Sequence, residues 1–308
     1  MKAALLAAIT LSLGSALGGL ETGGANDITA VSGRTSTDYV RTRRADGTFA
    51  PETYAFGKGG TWSGAKWDAS IDTLNFMDVA RVIAVPLASQ NYLPSRDPKD
   101  TKILIMVYWG TTHAPEHASE TNAYLHMQDV QGQLVSALTL AGATMPAFNG
   151  ARQGNGPEQR VVNALQEQMT TAMAATAAEN HMRDKDDELN VMMLGYDSWW
   201  EGTKRYLGTP MDFRRQDLLD EIEEDRYFVV LMAYDFQLLW REKKHKLLWE
   251  TRFSIRQRHH NFDEDLPAMA QYASQYFGQD SKGLVHKPIP AGRVDIGDVK
   301  SLGTLPDK

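Results

Sequence analysis

His113 and His117, with Glu116 between them and Glu120 three residues further on, form the best metal-ligand spacing in the chain. On a helix, imidazoles at i and i+4 share one face, and with a carboxylate they can hold zinc while leaving a position for water. The chemistry implied is metal-dependent hydrolysis, with His113, His117 and Glu120 as ligands. Two features weigh against it: Pro115 interrupts the segment, and the order is not His-Glu-x-x-His. His259 and His260, followed by Asp263, Glu264 and Asp265, make a second ionisable group that would join the first only if the fold brought them together. Adjacent histidines at a strand end point to opposite faces. The three carboxylates suit the positive end of the helix that follows.

Seven tryptophans raise a second chemistry, the stacking of aromatic faces on sugar rings. Trp109, Trp199, Trp200, Trp240 and Trp249 lie on apolar faces or at strand ends, where packing is the expected role. Trp62 and Trp67 follow the Gly57-Lys58-Gly59-Gly60 run and are the candidates for ligand contact. That run is not a phosphate-cradling loop, because the Gly-Lys-Ser/Thr ending is missing, and Gly150 to Gly156 lacks the dinucleotide spacing. No Gly-x-Ser-x-Gly elbow occurs, so serine hydrolase chemistry has no local support. With no cysteine, thiol catalysis, cysteine-ligated metals and a lipidated first residue are excluded. No cofactor is expected. The 39 Asp and Glu residues are too dispersed to single out an acid–base pair, and Asp217, Asp220, Glu221, Glu223 and Glu224 read as a charged helix face toward solvent or a partner.

The elements that would position these groups follow from periodicity. Phe76, Met77, Ala80, Ile83, Ala84, Leu87 and Ala88 fall on one helical face, with Pro86 near the end. Ile103 to Trp109 is continuously apolar, as a strand covered on both faces would be. Strand, helix and buried strand in that order imply a crossover with two parallel neighbours. Tyr39 to Arg44 and Thr48 to Phe56, around Asp46-Gly47, read as a hairpin whose arginines Arg41, Arg43 and Arg44 mark an exposed edge. Helices are expected near 119–141, from Val161 to Met173, again from Leu189 to Trp200 after a charged break at Asp184 to Glu188, and from Phe213 to Glu224. Tyr227 to Tyr234 is a second buried strand. Leu247 to Arg256 alternates, so one of its faces should meet water. Leu266 to Phe277 is a final helix closed by Gly278.

The fold class expected is α+β: a two-layer mixed β-sheet packed by helices, with a helical insertion subdomain. The organisation reads as a signal peptide over 1–18, a flexible leader over 19–38, the first half of the domain over 39–111, the insertion over 112–212, the second half over 213–278 and an extended tail over 279–308. The signal reading rests on Met1-Lys2, the apolar run Ala3 to Leu13 and small residues at Ala16 and Gly18. It implies a periplasmic or secreted protein with no transmembrane segment after cleavage. Removal of Lys2 takes the formal charge from −7 to −8, which disfavours duplex nucleic acid as a partner.

Phe76 to Trp109, with Leu87-x-x-Gln90-Asn91-Tyr92, an Asp/Pro loop and the Ile103 to Tyr108 strand, resembles exported bacterial envelope-associated α+β domains of unknown function. Tyr227 to Phe277 resembles the second half of the same unit. The chain departs from that pattern in lacking the lipidated cysteine and in carrying the insertion. The resemblance implies fold and location: a non-catalytic binding or assembly protein whose partner is an envelope protein, a lipid or a glycan. The rival expectation is the exported metal-dependent hydrolase using His113, His117 and Glu120, with His259 or His260.

Overall fold

A computed structural model describes residues 28–62, 67–140, 156–203, 205, 208–209 and 213–288. The segment 1–18, most of the glycine-rich loop 149–156 and the end of the tail lie outside them. Seven strands form one mixed sheet in the order β3-β2-β4-β5-β6-β1-β7. They are β1 (Ile28–Thr35), β2 (Glu52–Trp62), β3 (Tyr92–Pro94), β4 (Ile103–Thr111), β5 (Arg226–Asp235), β6 (Leu247–Arg256) and β7 (Leu284–Pro288). The helices are α1 (Ala69–Asp72), α2 (Phe76–Ser89), α3 (Asn122–Leu140), α4 (Pro157–Leu194), α5 (Asp197–Thr203), α6 (Phe213–Ile222), α7 (Phe236–Glu242) and α8 (Phe262–Ala273). The fold is mixed α and β, one sheet packed by helices, as the patterning implied. Among the described residues no helix is long and apolar enough to cross a membrane.

The expected crossover is present: β2 and β4 are parallel neighbours joined through α2. Asn75 caps α2, accepting from Met77 N and Asp78 N while Asp78 reaches back to Asn75 N, and so satisfies donors that the first turn leaves open. Val79, Ile83 and Leu87 of α2 meet Leu266, Met269 and Ala273 of α8 over one face of the sheet, where Ile105, Val107, Trp109, Val229, Leu231 and Phe253 complete the main core. The opposite face is not left to water as the alternation in β6 suggested. The inner end of α4, with α6, packs Val191, Leu194, Leu218 and Ile222 on Ala30, Phe228 and Val230. Ser254 is buried there, and Arg252 reaches the carbonyls of Met192 and Met193.

Five expectations need correction. The leader 19–38 contains β1, which sits inside the sheet between β6 and β7, with Ala30 and Val31 buried on opposite faces. The tail 279–308 contains β7, which pairs with β1. The Asp46-Gly47 turn forms, with one bridge Arg43↔Phe49, but the chain then leaves the hairpin and β2 pairs with β3 and β4. Arg41 is not at an exposed edge: its guanidinium lies 4.1 Å from the ring centroids of both Phe49 and Tyr92 and donates to the Gln90 carbonyl at 2.6 Å. Finally, Gly57 to Gly60 is not a loop but the middle of β2. The Tyr108 ring lies across β2 where a Cβ on Gly59 would stand 2.6 Å from it, so glycine there reflects close approach.

The insertion is a helical hairpin of α3 and α4. The charged stretch Asp184 to Glu188 does not break it: α4 runs unbroken for 38 residues, about 57 Å at 1.5 Å per residue. Its inward positions keep three- and four-residue spacing throughout. They are apolar toward the far end (Val162, Leu165, Met169, Ala172) and polar toward the sheet (Thr176, Glu179, Arg183, Asp187, Asn190). The seam changes chemistry and the helix continues.

Candidate functional site

The carboxyl ends of the parallel strands β2 and β4 form the mouth where open α/β sheets most often hold ligands. Trp62 ends β2 in register with Gly110 of β4. A Cβ at Gly110 would collide with the backbone of Trp62, so glycine lets the two strand ends close up. Trp62 is 45% exposed as a residue, and its ring leans on Tyr108 and Phe228, with centroids 5.8 and 6.0 Å away. On the opposite face of the strand ends, the face of Trp109, opens a cleft of about 100 Å³ that Trp62 also borders. Its exposed lining is mostly polar, with Thr61 and Asp72 among the residues that form it, and Ile71, Leu74 and Trp109 contribute a smaller apolar part.

The far wall of this cleft is α1, and Asp68 anchors it. Asp68 caps the helix by accepting from Ser70 N at 2.8 Å and also accepts from Gln257 Nε2 at 2.9 Å and from the Tyr227 hydroxyl. Burial works against its ionised form, but the bonds from Tyr227, Gln257 and Ser70 outweigh it and hold the carboxyl below its usual range. Burial, with the Asp68 bond, pushes Tyr227 up to about 12. Ser70 Oγ in turn accepts from Phe262 N at 3.1 Å, tying α1 to α8. Trp67, next to the anchored Asp68, is 76% exposed. Both tryptophans singled out by sequence are thus presented to solvent at this end. Of the five expected to pack, Trp109 and Trp249 are buried, Trp200 is partly buried, and Trp199 and Trp240 stand partly open on helices α5 and α7.

The histidines are arranged otherwise than their spacing suggested. Residues 112–117 follow β4 in neither helix nor strand, so His113 and His117 do not share a helical face. Thr112 Oγ1 donates to the Glu224 carbonyl and Ala114 N donates to Asp225, pinning the segment to the start of β5. His113 contributes its carbonyl, which accepts from Asn190 Nδ2 at 2.8 Å. The His117 Nδ1 stands 3.8 Å from Glu223, and Glu120 donates its backbone N–H to the His117 carbonyl in a turn. His259 sits at φ 69° in the left-handed region. His260 bonds Asp265 at 2.9 Å beside the first turn of α8, where the three carboxylates fall as the helix dipole favours. Among the described residues no three His, Asp or Glu side chains converge to hold a metal ion.

Sequence reasoning missed two charged assemblies, both involving the carboxylates assigned to an open face. Glu221 accepts from the Tyr196 hydroxyl at 2.6 Å, lies 3.0 Å from His286 Nε2 and pairs with the buried Arg226 at 3.2 Å. Burial opposes its charge, yet His286, Arg226 and Tyr196 together pull its pKa down to about 2. Arg226 also pairs with Glu224 and donates to Ser254. This cluster locks α6 to β5, β6 and β7. The second assembly lies at the root of the hairpin. Asp187 is buried, and burial followed by Glu223 pushes its carboxyl up to about 6, against the pull of Arg183. Among the described residues Asp187 Oδ1 and Glu223 Oε1 find no hydrogen-bond partner. No local signal marks either assembly, since each joins residues distant in the chain.

No protein-family model matches the chain, and no curated protein matches it. Among solved structures, one described as a PDZ domain protein from Parabacteroides distasonis is similar over 85% of this chain, at 10% identity and a TM-score of 0.34. The chain spans 39% of that structure's length. The chemistry of the cleft therefore rests on its own geometry.

Proposed function

We propose that this is an exported cell-envelope protein that binds rather than catalyses, and that the Trp62 cleft holds an N-acetylated sugar of a cell-wall glycan. The observation that carries the reading is a half-exposed Trp62 at a strand end, which also borders a small cleft on the other face of the sheet. A space of about 100 Å³ is well below the roughly 300–1,000 Å³ of sites that swallow a whole ligand. It suits one substituent of a glycan that passes over the strand ends, with a neighbouring ring of the same glycan on the indole. An N-acetyl group matches the walls: its methyl meets Ile71 and Leu74, and its amide meets Thr61 and Asp72. Trp67 extends the aromatic surface for a second ring. Export through residues 1–18, with cleavage before Gly19, would deliver the protein to the periplasm or beyond.

The test is intrinsic fluorescence during titration with chitooligosaccharides, with glucosamine oligomers as the deacetylated control. Quenching by the acetylated series alone, lost in Trp62→Phe, is the expected result. Equal response to both series, or a response that survives in Trp62→Phe, refutes the reading. The mass of the protein recovered from the periplasmic fraction tests export independently.

A further inference from the structure

We infer that the protein self-associates through the outer face of α4, two copies packing antiparallel about a two-fold axis midway along the helix. The inner seam of α4 is occupied by α3 over its outer part and, toward the sheet, by Ile222, Glu223 and the chain after β4. Displaced from it by one residue, and so about 100° around the helix, runs a second set of positions with the same alternating three- and four-residue spacing. It begins at Val161 and ends at Met192, and every member is exposed. Seven of its ten positions are Ala, Val, Leu or Met. The large ones are open to water, with Met182 at 68%, Met192 at 57%, Leu189 at 54% and Val161 at 52%. Sustained heptad spacing with apolar residues is what one helix presents to another. The chain itself already uses the first seam, and the second is unclaimed among the described residues.

A second copy fits this stripe because the stripe is complementary to its own reverse. With the axis between Thr176 and Ala177, Val161 meets Met192 of the second copy and Ala164 meets its Leu189. Thr171 meets Met182, so small side chains face large ones. Ala175 and Ala178 face each other near the axis, where the helices can approach closely. The two long polar members, Gln168 and Lys185, fall opposite one another, so neither is set against an apolar group. Such a patch is isologous, as closed dimers require. A strip about 46 Å long and about 10–12 Å wide covers on the order of 500 Å² per copy, or about 1,000 Å² in all, the size at which specific interfaces begin. On the flank nearest α3 the strip borders an open groove lined by Gly132, Ser136, Leu140, Val161 and Leu165, which leaves room for the neighbouring hairpin.

Sedimentation of the unmodified protein is the first measurement, and a concentration-dependent dimer is expected. The chain has no cysteine, so single introduced cysteines report only contacts between copies. Ala175→Cys should cross-link through a short bis-maleimide. Val161→Cys should not, because its two copies stand about 46 Å apart in the antiparallel pair, whereas a mixture of Val161→Cys with Met192→Cys should cross-link. Met182→Glu should give a monomer with unchanged helix content by circular dichroism. A protein that stays monomeric as concentration rises, with or without affinity for lipid vesicles, overturns the inference, as does Val161→Cys cross-linking as readily as Ala175→Cys.

Discussion

Replacing Asp187 by asparagine should stabilise the protein above about pH 6 and change little below about pH 4. In the folded chain the Asp187 carboxyl is raised from 3.8 to about 6 by burial and by Glu223, Asp184 and Asp186, with Arg183 opposing. In the unfolded chain it ionises near its ordinary value. The folded state therefore holds the proton more tightly, and the stability linked to it is fully present below about pH 4 and lost as pH rises through about 6. A shift of this size corresponds to at most about 3 kcal/mol. Charges inside a protein are screened well below the dry-interior limit, so about 1–2 kcal/mol is expected. Asparagine keeps the shape without the charge, so the variant should melt a few degrees higher at about pH 8, given that 1 kcal/mol moves the midpoint of a chain this size by about 2–4 °C. The assay is thermal or urea unfolding of both proteins at several pH values between about 4 and 8. A variant less stable than wild type at the alkaline end, or a difference that does not grow with pH, would refute the electrostatic reasoning.

Glu221→Gln should cost about 1–3 kcal/mol near neutral pH by leaving the buried Arg226 with Glu224 as its remaining carboxylate. Its effect should fade in acid, because the wild type itself loses this contribution as pH falls from about 4.5 through about 2; unfolding by urea as a function of pH measures both. Gly110→Ala should destabilise by about 1–3 kcal/mol, since the added methyl drives β2 from β4 at the cleft, and calorimetry reads it. His113→Ala with His117→Ala should leave the melting temperature in added zinc unchanged, whereas a stoichiometric metal lost in that double variant would restore the hydrolase reading.

What could be read from the sequence was whatever repeats locally. Phe76 to Ala88 and Leu266 to Phe277 show one apolar face each, and Ile103 to Trp109 and Tyr227 to Tyr234 are apolar enough to be buried strands; all four are present. β1 was invisible because Ile-Thr-Ala-Val-Ser-Gly-Arg-Thr carries mostly small and polar side chains, and its place is set by partners more than 200 residues away, Trp249 to Ser254 and Leu284 to Pro288. The continuity of α4 was hidden by a different cause. A seam that turns from Met169 and Ala172 to Glu179, Arg183 and Asp187 loses its hydrophobic period while keeping its geometry. At the candidate site, the exposure of Trp62 and Trp67 was legible from their glycine-rich surroundings, but the cleft was not. It requires Trp109 from β4 and Leu74 from the chain after α1 to meet across the sheet end.

The position of β1 has a consequence in time. It is the first described strand of the chain, yet it lies between β6 and β7, the last two. About 250 residues separate it from the strand that closes over it, and at about 5–20 residues per second a ribosome takes on the order of 10–50 s to supply them. Throughout that interval the sheet is unfinished: one edge of β1 waits for β6 and the other, longer still, for β7. Pairings this distant in sequence also slow folding once the chain is complete. The order of synthesis thus holds the chain back from its final form, a state in which it can still be bound by a chaperone or threaded through a pore.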